Sequence, residues 1–287
     1  SDYSEDLKID KAILNQHAES YRKIRNTLRF LLGNLNDKFL NDDFSKIEYS
    51  KLSSLEKFIL TQVYDFDLRF KDYIKSYNFH KIYVELLNFC TLDLSAFYFD
   101  IKKDILYCDS INSQRRNKCL EILNVLANFL LKWFSPILAF TSEEAYQVIK
   151  NKNYKSIHLQ DFPVIPLVWN NSEVKNKWVG IKKVKQVVNA AIEDIRNKKI
   201  IGSSLEANVI VYLKKEYLNL IKEEDLSEIF ICSEAKAESL INQSDLFSLK
   251  DIEGVAVKIV KAKGQKCPRC WKILEKTCSR DICGLKN

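Results

Sequence analysis

Four of the eight cysteines in the chain fall within residues 267–283, as Cys267-x2-Cys270 and Cys278-x4-Cys283. A two-residue gap lets both sulfurs of one turn reach a tetrahedral ion at about 2.3 Å, and a second pair nearby closes a structural zinc site with no open position. One structural Zn²⁺ on Cys267, Cys270, Cys278 and Cys283 is therefore expected. The second spacing is less regular than the first, so a three-thiolate site and free thiols remain as alternatives. Cys90, Cys108, Cys119 and Cys232 stand singly in apolar periodic segments, where a thiol packs as a small hydrophobe. This usage fits a reducing cytoplasm.

The second grouping is cationic. Arg22, Arg25, Asn26 and Arg29 recur at three- and four-residue steps, beside an apolar stripe of Tyr21, Ile24, Leu28, Leu31 and Leu35, so one helix carries both faces. Such an Arg stripe is either solvated and salt-bridged to neighbouring helices or turned towards phosphate, which the guanidinium fork binds bidentately. Charge also gathers at the other end. Residues 258–287 hold nine cations (Lys258, Lys261, Lys263, Lys266, Arg269, Lys272, Lys276, Arg280, Lys286) against Glu275 and Asp281, and their formal +7 equals that of the whole chain. Beside a metal-site pattern, a basic end is a candidate nucleic-acid footprint. Trp271, with Lys266, Arg269 and Lys272 around it, has the chemistry to stack an unpaired base, or else packs over the metal as a miniature core.

The elements that must position these groups read as helices. Six Gly and four Pro among 287 residues favour long uninterrupted helices, and 46% apolar with 29% charged residues is ordinary globular composition for one or two domains. The first helix starts near Asp10, and residues 34–43 read as a polar connection. Further helices are expected at 52–77, 79–99 and 113–134, the last with Arg115, Arg116 and Lys118 at its start. Those cations oppose the helix dipole and call for an acid such as Asp104 or Asp109, or an RNA phosphate. After Pro136, Thr141 and Glu144 form a capping-box pattern that would start a fifth helix at 142–149. Trp133, Phe134 and Phe140 read as core aromatics closing an up-and-down bundle, and 154–169 as a linker laid across a surface.

The second part reads as a helix over 174–198 with short apolar runs at 207–213, 229–232 and 255–260, which suggest strands. No run of 18 apolar residues occurs, so no membrane span is expected. The absence of Met marks the chain as an expected fragment of something longer. No Gly-rich phosphate loop, nucleophile elbow or catalytic carboxylate pair appears, which argues against an enzyme in its own right.

Five stretches together resemble the bacterial-type isoleucyl-tRNA synthetases, a class I aminoacyl-tRNA synthetase family. They are residues 20–35, Leu94-Ser95-Ala96-Phe97-Tyr98-Phe99-Asp100-Ile101 with Lys103-Asp104, the run from Trp133 through Pro136 to Glu144, Ile201-Gly202-Ser203-Ser204-Leu205-Glu206-Ala207, and Lys266-Cys267-Pro268-Arg269-Cys270-Trp271. They keep the family's order and span the chain. The resemblance implies a mainly α fold: an anticodon-binding helical bundle (1–165), a small α+β domain (166–262) and a zinc-binding segment (263–287). It also implies tRNA-Ile as partner, bound by its anticodon stem and loop through Arg22, Arg25, Asn26, Arg29, Lys266, Arg269, Trp271 and Lys272. A monomeric, cytoplasmic protein is expected, with no membrane partner. The family attaches isoleucine to its tRNA using ATP, and its nucleotide-binding domain would lie upstream, so this fragment is expected to be inactive alone. In the family the second cysteine pair is usually Cys-x2-Cys. Ile282-Cys283-Gly284-Leu285-Lys286 resembles that pair with Lys286 in place of the last thiol, which would make Cys278 the substitute ligand. The alternative is a helical protein-interaction module with a structural zinc and no RNA binding.

Overall fold

The computed structural model describes residue 6, residues 9–35, 47–149, 152–241 and 245–278, and Arg280 and Cys283. Most of the connection expected at 34–43, together with Asp281, Ile282 and Lys286, lies outside the described residues. The chain divides into two compact units, Ser1–Asp100 with Gln114–Asn171, and Ile101–Ser113 with Ser172–Asn287.

The first unit is helical. Helix α1 (Lys11–Asn34) starts where Asp10 accepts the Ala12 N–H at 2.6 Å, which satisfies one orphan donor of the first turn. It buries Ile24, Thr27, Leu28 and Leu31. Helix α2 (Ser54–Lys75) starts with a reciprocal capping box: the Glu56 N–H donates to Ser53 Oγ at 3.3 Å and the Ser53 N–H to Glu56 Oε2 at 2.9 Å. Helix α3 (Phe79–Asn88) runs on into a π-helical stretch (Phe89–Phe99) and then α4 (Asp100–Cys108). The helix expected to stop at 99 therefore reaches Cys108, with wider turns over Phe89–Phe99, which ends on the buried run Phe97, Tyr98 and Phe99.

Helix α5 (Gln114–Phe134) is buried along most of its length, and α1 packs against it, against the π-helical stretch and against α6 (Ala139–Gln147). Trp133 is fully buried, edge-on to Phe66 at 4.6 Å and Phe129 at 5.2 Å between ring centroids, and its indole N–H donates to Asp67 Oδ1 at 3.4 Å. The run Phe79–Cys108 is 30 residues long and contains an 18-residue window of mean hydropathy 1.2, enough by length and composition to cross a membrane. Ile82, Leu86, Phe89, Leu94 and Phe97 on it are nevertheless buried in the protein, as in a core helix.

Two expectations here are corrected. The capping box at Thr141 and Glu144 does not form, because α6 begins three residues earlier, after Leu138, which makes no side-chain cap bond. Phe140 is not a core aromatic: it is 92% exposed, on the opposite side of α6 from buried Ser142 and Tyr146.

In the second unit α7 (Ser172–Asn197) lays Val184, Val187, Val188, Ala191 and Ile192 against a three-stranded sheet. The order is β2–β1–β3. Central β1 (Ala207–Leu213) runs parallel to β2 (Glu234–Ser239) and antiparallel to β3 (Val255–Lys261), with Val211 opposite Ala237 and Val257. The parallel pair needs a crossover, supplied by α8 (Lys215–Ile221) and α9 (Leu226–Ile229). The strand expected at 229–232 is not one. Asp225 caps α9 by accepting the Glu228 N–H at 3.1 Å, and Ile231 then turns the chain at φ +55°. The true neighbour, β2, is charged and exposed, so it carried no apolar signal.

Candidate functional site

The cysteine end is built on a two-stranded hairpin, β4 (Gln265–Lys266) and β5 (Ile273–Leu274). Gly264 opens it at φ +125°, where a Cβ would come within 2.2 Å of the Leu274 carbonyl oxygen, so only glycine fits. Ser233 pins the hairpin to the sheet by accepting the Ile273 N–H at 2.7 Å while donating to the Leu205 carbonyl at 2.6 Å. Within the turn the Cys267 N–H donates to the Lys272 carbonyl at 2.9 Å and the Trp271 N–H to the Cys267 carbonyl at 3.0 Å, which brings Cys267 and Cys270 onto one side.

The sulfurs of Cys267, Cys270, Cys278 and Cys283 all lie within 4.8 Å of one another, and those of Cys270 and Cys278 are 4.0 Å apart. Four thiolates around one ion, each at about 2.3 Å, would stand about 3.8 Å from each other. The cluster is close to that size, so these four cysteines could hold a metal ion. Cys278, the doubtful member, is among them. Burial pushes the Cys267 thiol up, but hydrogen bonds from the Cys270 and Arg269 backbone N–H groups and from the Cys270 and Cys283 thiols together hold it below the usual thiol range. Burial pushes Cys270 up to about 12 and also raises Cys283. Donors from the turn thus favour a thiolate at its first position, and the crowded remainder needs a cation to ionise.

Cys108 proves not to be a solitary core thiol. It packs against the cysteine cluster, and its S–H donates to the Arg269 carbonyl at 3.7 Å. Cys90 and Cys232 are buried, with burial pushing each thiol up to about 12, and the Cys232 S–H donates to the Glu234 carbonyl at 3.2 Å.

Of the cationic candidates here, Arg269 is anchored: its Nε and Nη2 both donate to the Tyr107 carbonyl, at 3.2 and 2.9 Å. Lys272 donates to Ser227 Oγ at 3.3 Å. Trp271 is 59% exposed, so it does not pack as a miniature core. It holds the left-handed φ of +61°, costly for an aromatic side chain, and Lys266 Nζ stands 5.8 Å from its ring centroid.

On α1 the Arg stripe is exposed, but its members differ. Arg22 pairs with Glu19 on its own helix. Arg25 donates through both Nη groups to the two oxygens of Glu144, at 2.9 and 2.8 Å, and Tyr21 OH meets Thr141 Oγ at 2.9 Å. The residues read as a capping box are therefore the side on which α6 docks to α1. The Glu144 hydrogen bond raises the Arg25 pKa, and Arg25 in turn holds Glu144 below the usual carboxylate range. Asn26 and Arg29 are exposed and make no side-chain hydrogen bond or ion pair among the described residues.

Asp104 and Asp109 both face Arg280, Asp104 bidentately with one bond at 2.7 Å and Asp109 at 3.5 Å. The sequence reading set these acids against Arg115, Arg116 and Lys118, but the cation they meet is Arg280, between the second pair of cysteines.

The molecule is thus a helical unit joined in sequence to an α+β unit that ends in a four-thiol cluster. A family model described as "Anticodon-binding domain of tRNA ligase" matches residues 56–211, more than half of the chain. The chain belongs to this family of anticodon-binding domains. It is 49% identical over 280 residues to the isoleucine–tRNA ligase of Pelagibacter ubique, covering 98% of this chain and 30% of that protein. It is 38% identical to that of Agrobacterium fabrum over 274 residues (95% and 28%) and 39% identical to that of Bartonella quintana over 273 residues (95% and 28%). The chain thus spans about 30% of the length of the curated relatives it matches.

Proposed function

We propose that this chain is the tRNA-binding part of an isoleucine–tRNA ligase, gripping tRNA-Ile by its anticodon stem and loop. The observation that carries this reading is that the likeness to isoleucine–tRNA ligases runs over 98% of the chain, through bundle and cysteine turns alike. Loop bases are held by stacking on aromatic or Arg planes and by contacts to phosphate and 2′-OH. Trp271 is the stacking platform: exposed, fixed in orientation by the Cys267–Trp271 turn, and flanked by Lys266. Arg29 and Asn26 meet phosphate and sugar from the bundle. Arg22 and Arg25 contribute positive potential while also paired to Glu19 and Glu144. Arg269 and Lys272 add charge beneath the Trp271 turn.

One Zn²⁺ on Cys267, Cys270, Cys278 and Cys283 supplies the cross-link that holds the two turns together. The work of aminoacylation, with its ATP, belongs to the whole ligase, in the cytoplasm, and this portion acts as a monomer. Binding of a tRNA-Ile transcript, titrated with salt, tests the reading. Affinity should fall steeply as salt rises, because each phosphate contact releases counterions. Salt-insensitive binding, or none at low salt, would favour a protein-interaction module instead.

A further inference from the structure

Each cysteine turn carries one arginine, and both arginines reach the same helix end. Arg269, between Cys267 and Cys270, gives two hydrogen bonds to the Tyr107 carbonyl. This carbonyl lies in the last turn of α4, where the helix leaves acceptors unsatisfied and its dipole favours cations. Arg280, between Cys278 and Cys283, forks onto Asp104 one turn earlier and reaches Asp109 just beyond. Cys108, between these anchor points, packs on the thiol cluster. The side chains of this fork are only 22% and 23% exposed.

We propose that the end of α4 is a third arm of the metal site, with Asp104 its positioning residue: metal binding and the ordering of residues 101–109 are one equilibrium, joined through Arg280 and Arg269. Asp104 holds no metal itself. A carboxylate beside a cluster of thiolates is repelled unless a cation stands between, and Arg280 is that cation. With Asp104 in place, Arg280 is oriented and the turn bearing Cys278 and Cys283 is pre-set for ligation. The inference rests on the metal site proposed above.

The test measures Zn²⁺ affinity of the full chain by competition with a chromophoric chelator. Outer partners of metal ligands typically contribute 10–100-fold in affinity. Asp104→Asn and Arg280→Gln should each weaken binding by that order, and the double variant by little more than either alone, since the two act as one unit. Glu144→Gln, which breaks a similar fork in the other unit, should bind like the parent. Parent-like affinity in Asp104→Asn, or equal weakening in Glu144→Gln, overturns the inference while leaving the site standing. A parent that binds no metal overturns both. Should Asp104→Asn fail to fold, hydrogen exchange on the parent decides. Chelation should speed exchange of amides 104–109 and leave those of 122–130 unchanged, whereas unchanged protection at 104–109 refutes the coupling.

Discussion

Two arginine–carboxylate forks of the same chemistry sit in different surroundings. Arg25 and Glu144 tie α1 to α6 with side chains 48% and 63% exposed, whereas Arg280 and Asp104 are 22% and 23% exposed beside the cysteine cluster. Water screens the first, so such a pair adds little to stability. Removing one partner of the second leaves a charge stranded away from water, which in buried pairs costs about 3–5 kcal/mol, somewhat less here because a fifth of each side chain is wet. The forks differ because the regions around them are held differently. The bundle closes on Trp133, Phe66, Phe70 and Phe129 and needs no help from a surface pair. The cysteine end buries little besides sulfur, so on the proposed reading ion pairs and a metal do there what a core does elsewhere.

The largest expected effect tests that dependence on metal. Structural zinc contributes about 10–16 kcal/mol in small domains, while ordering the chain costs about 1–2 kcal/mol per residue. Zinc stoichiometry should be one in the parent and near zero in Cys267→Ser, Cys278→Ser and Cys283→Ser, with the bundle's helical signal retained. A Cys278→Ser variant that keeps its metal would reduce the site to three thiolates. Next, Trp133→Ala should lower the first unit's stability to urea by about 3–5 kcal/mol, the usual cost of emptying a large aromatic site, without touching zinc content. Simultaneous loss of zinc would break the contrast between the regions.

Effects on RNA are smaller. Trp271→Ala should weaken tRNA-Ile binding by about 1–3 kcal/mol, the worth of one base stack, with zinc content unchanged. Arg29→Ala should weaken it less and reduce the salt slope by about one phosphate. The smallest effect belongs to the exposed fork: Glu144→Gln should leave the urea midpoint of the first unit close to that of the parent. A loss near that of Asp104→Asn would erase the distinction drawn between the two forks.

How much of this was legible depended on whether a signal was local. Asp10 announced the start of α1, and the apolar stripe of α7 announced its buried face, because each is read from neighbours in sequence. Thr141 and Glu144 misled for the same reason: their spacing suits a cap, but Pro136 ends the preceding helix early enough for α6 to start at Ala139, which frees both side chains to meet Tyr21 and Arg25. Ile229 to Cys232 is apolar and short, a pattern that a buried turn and a strand share. Its neighbour β2, an exposed edge strand with charges at 234, 236 and 238, hid in plain polarity. In the candidate site, the four thiols were legible from spacing, as were the exposed Arg positions on α1. The partnership of Asp104 with Arg280 joins residues 176 apart, and no spacing rule reaches that far.

Whether this chain grips the anticodon end of tRNA-Ile is decided by chemical footprinting of a tRNA-Ile transcript bound to the parent protein. Protection should be confined to the anticodon stem and loop, with at least one loop base losing its protection in Trp271→Ala. Protection centred on the acceptor stem, or a complex with no protected loop, would contradict it.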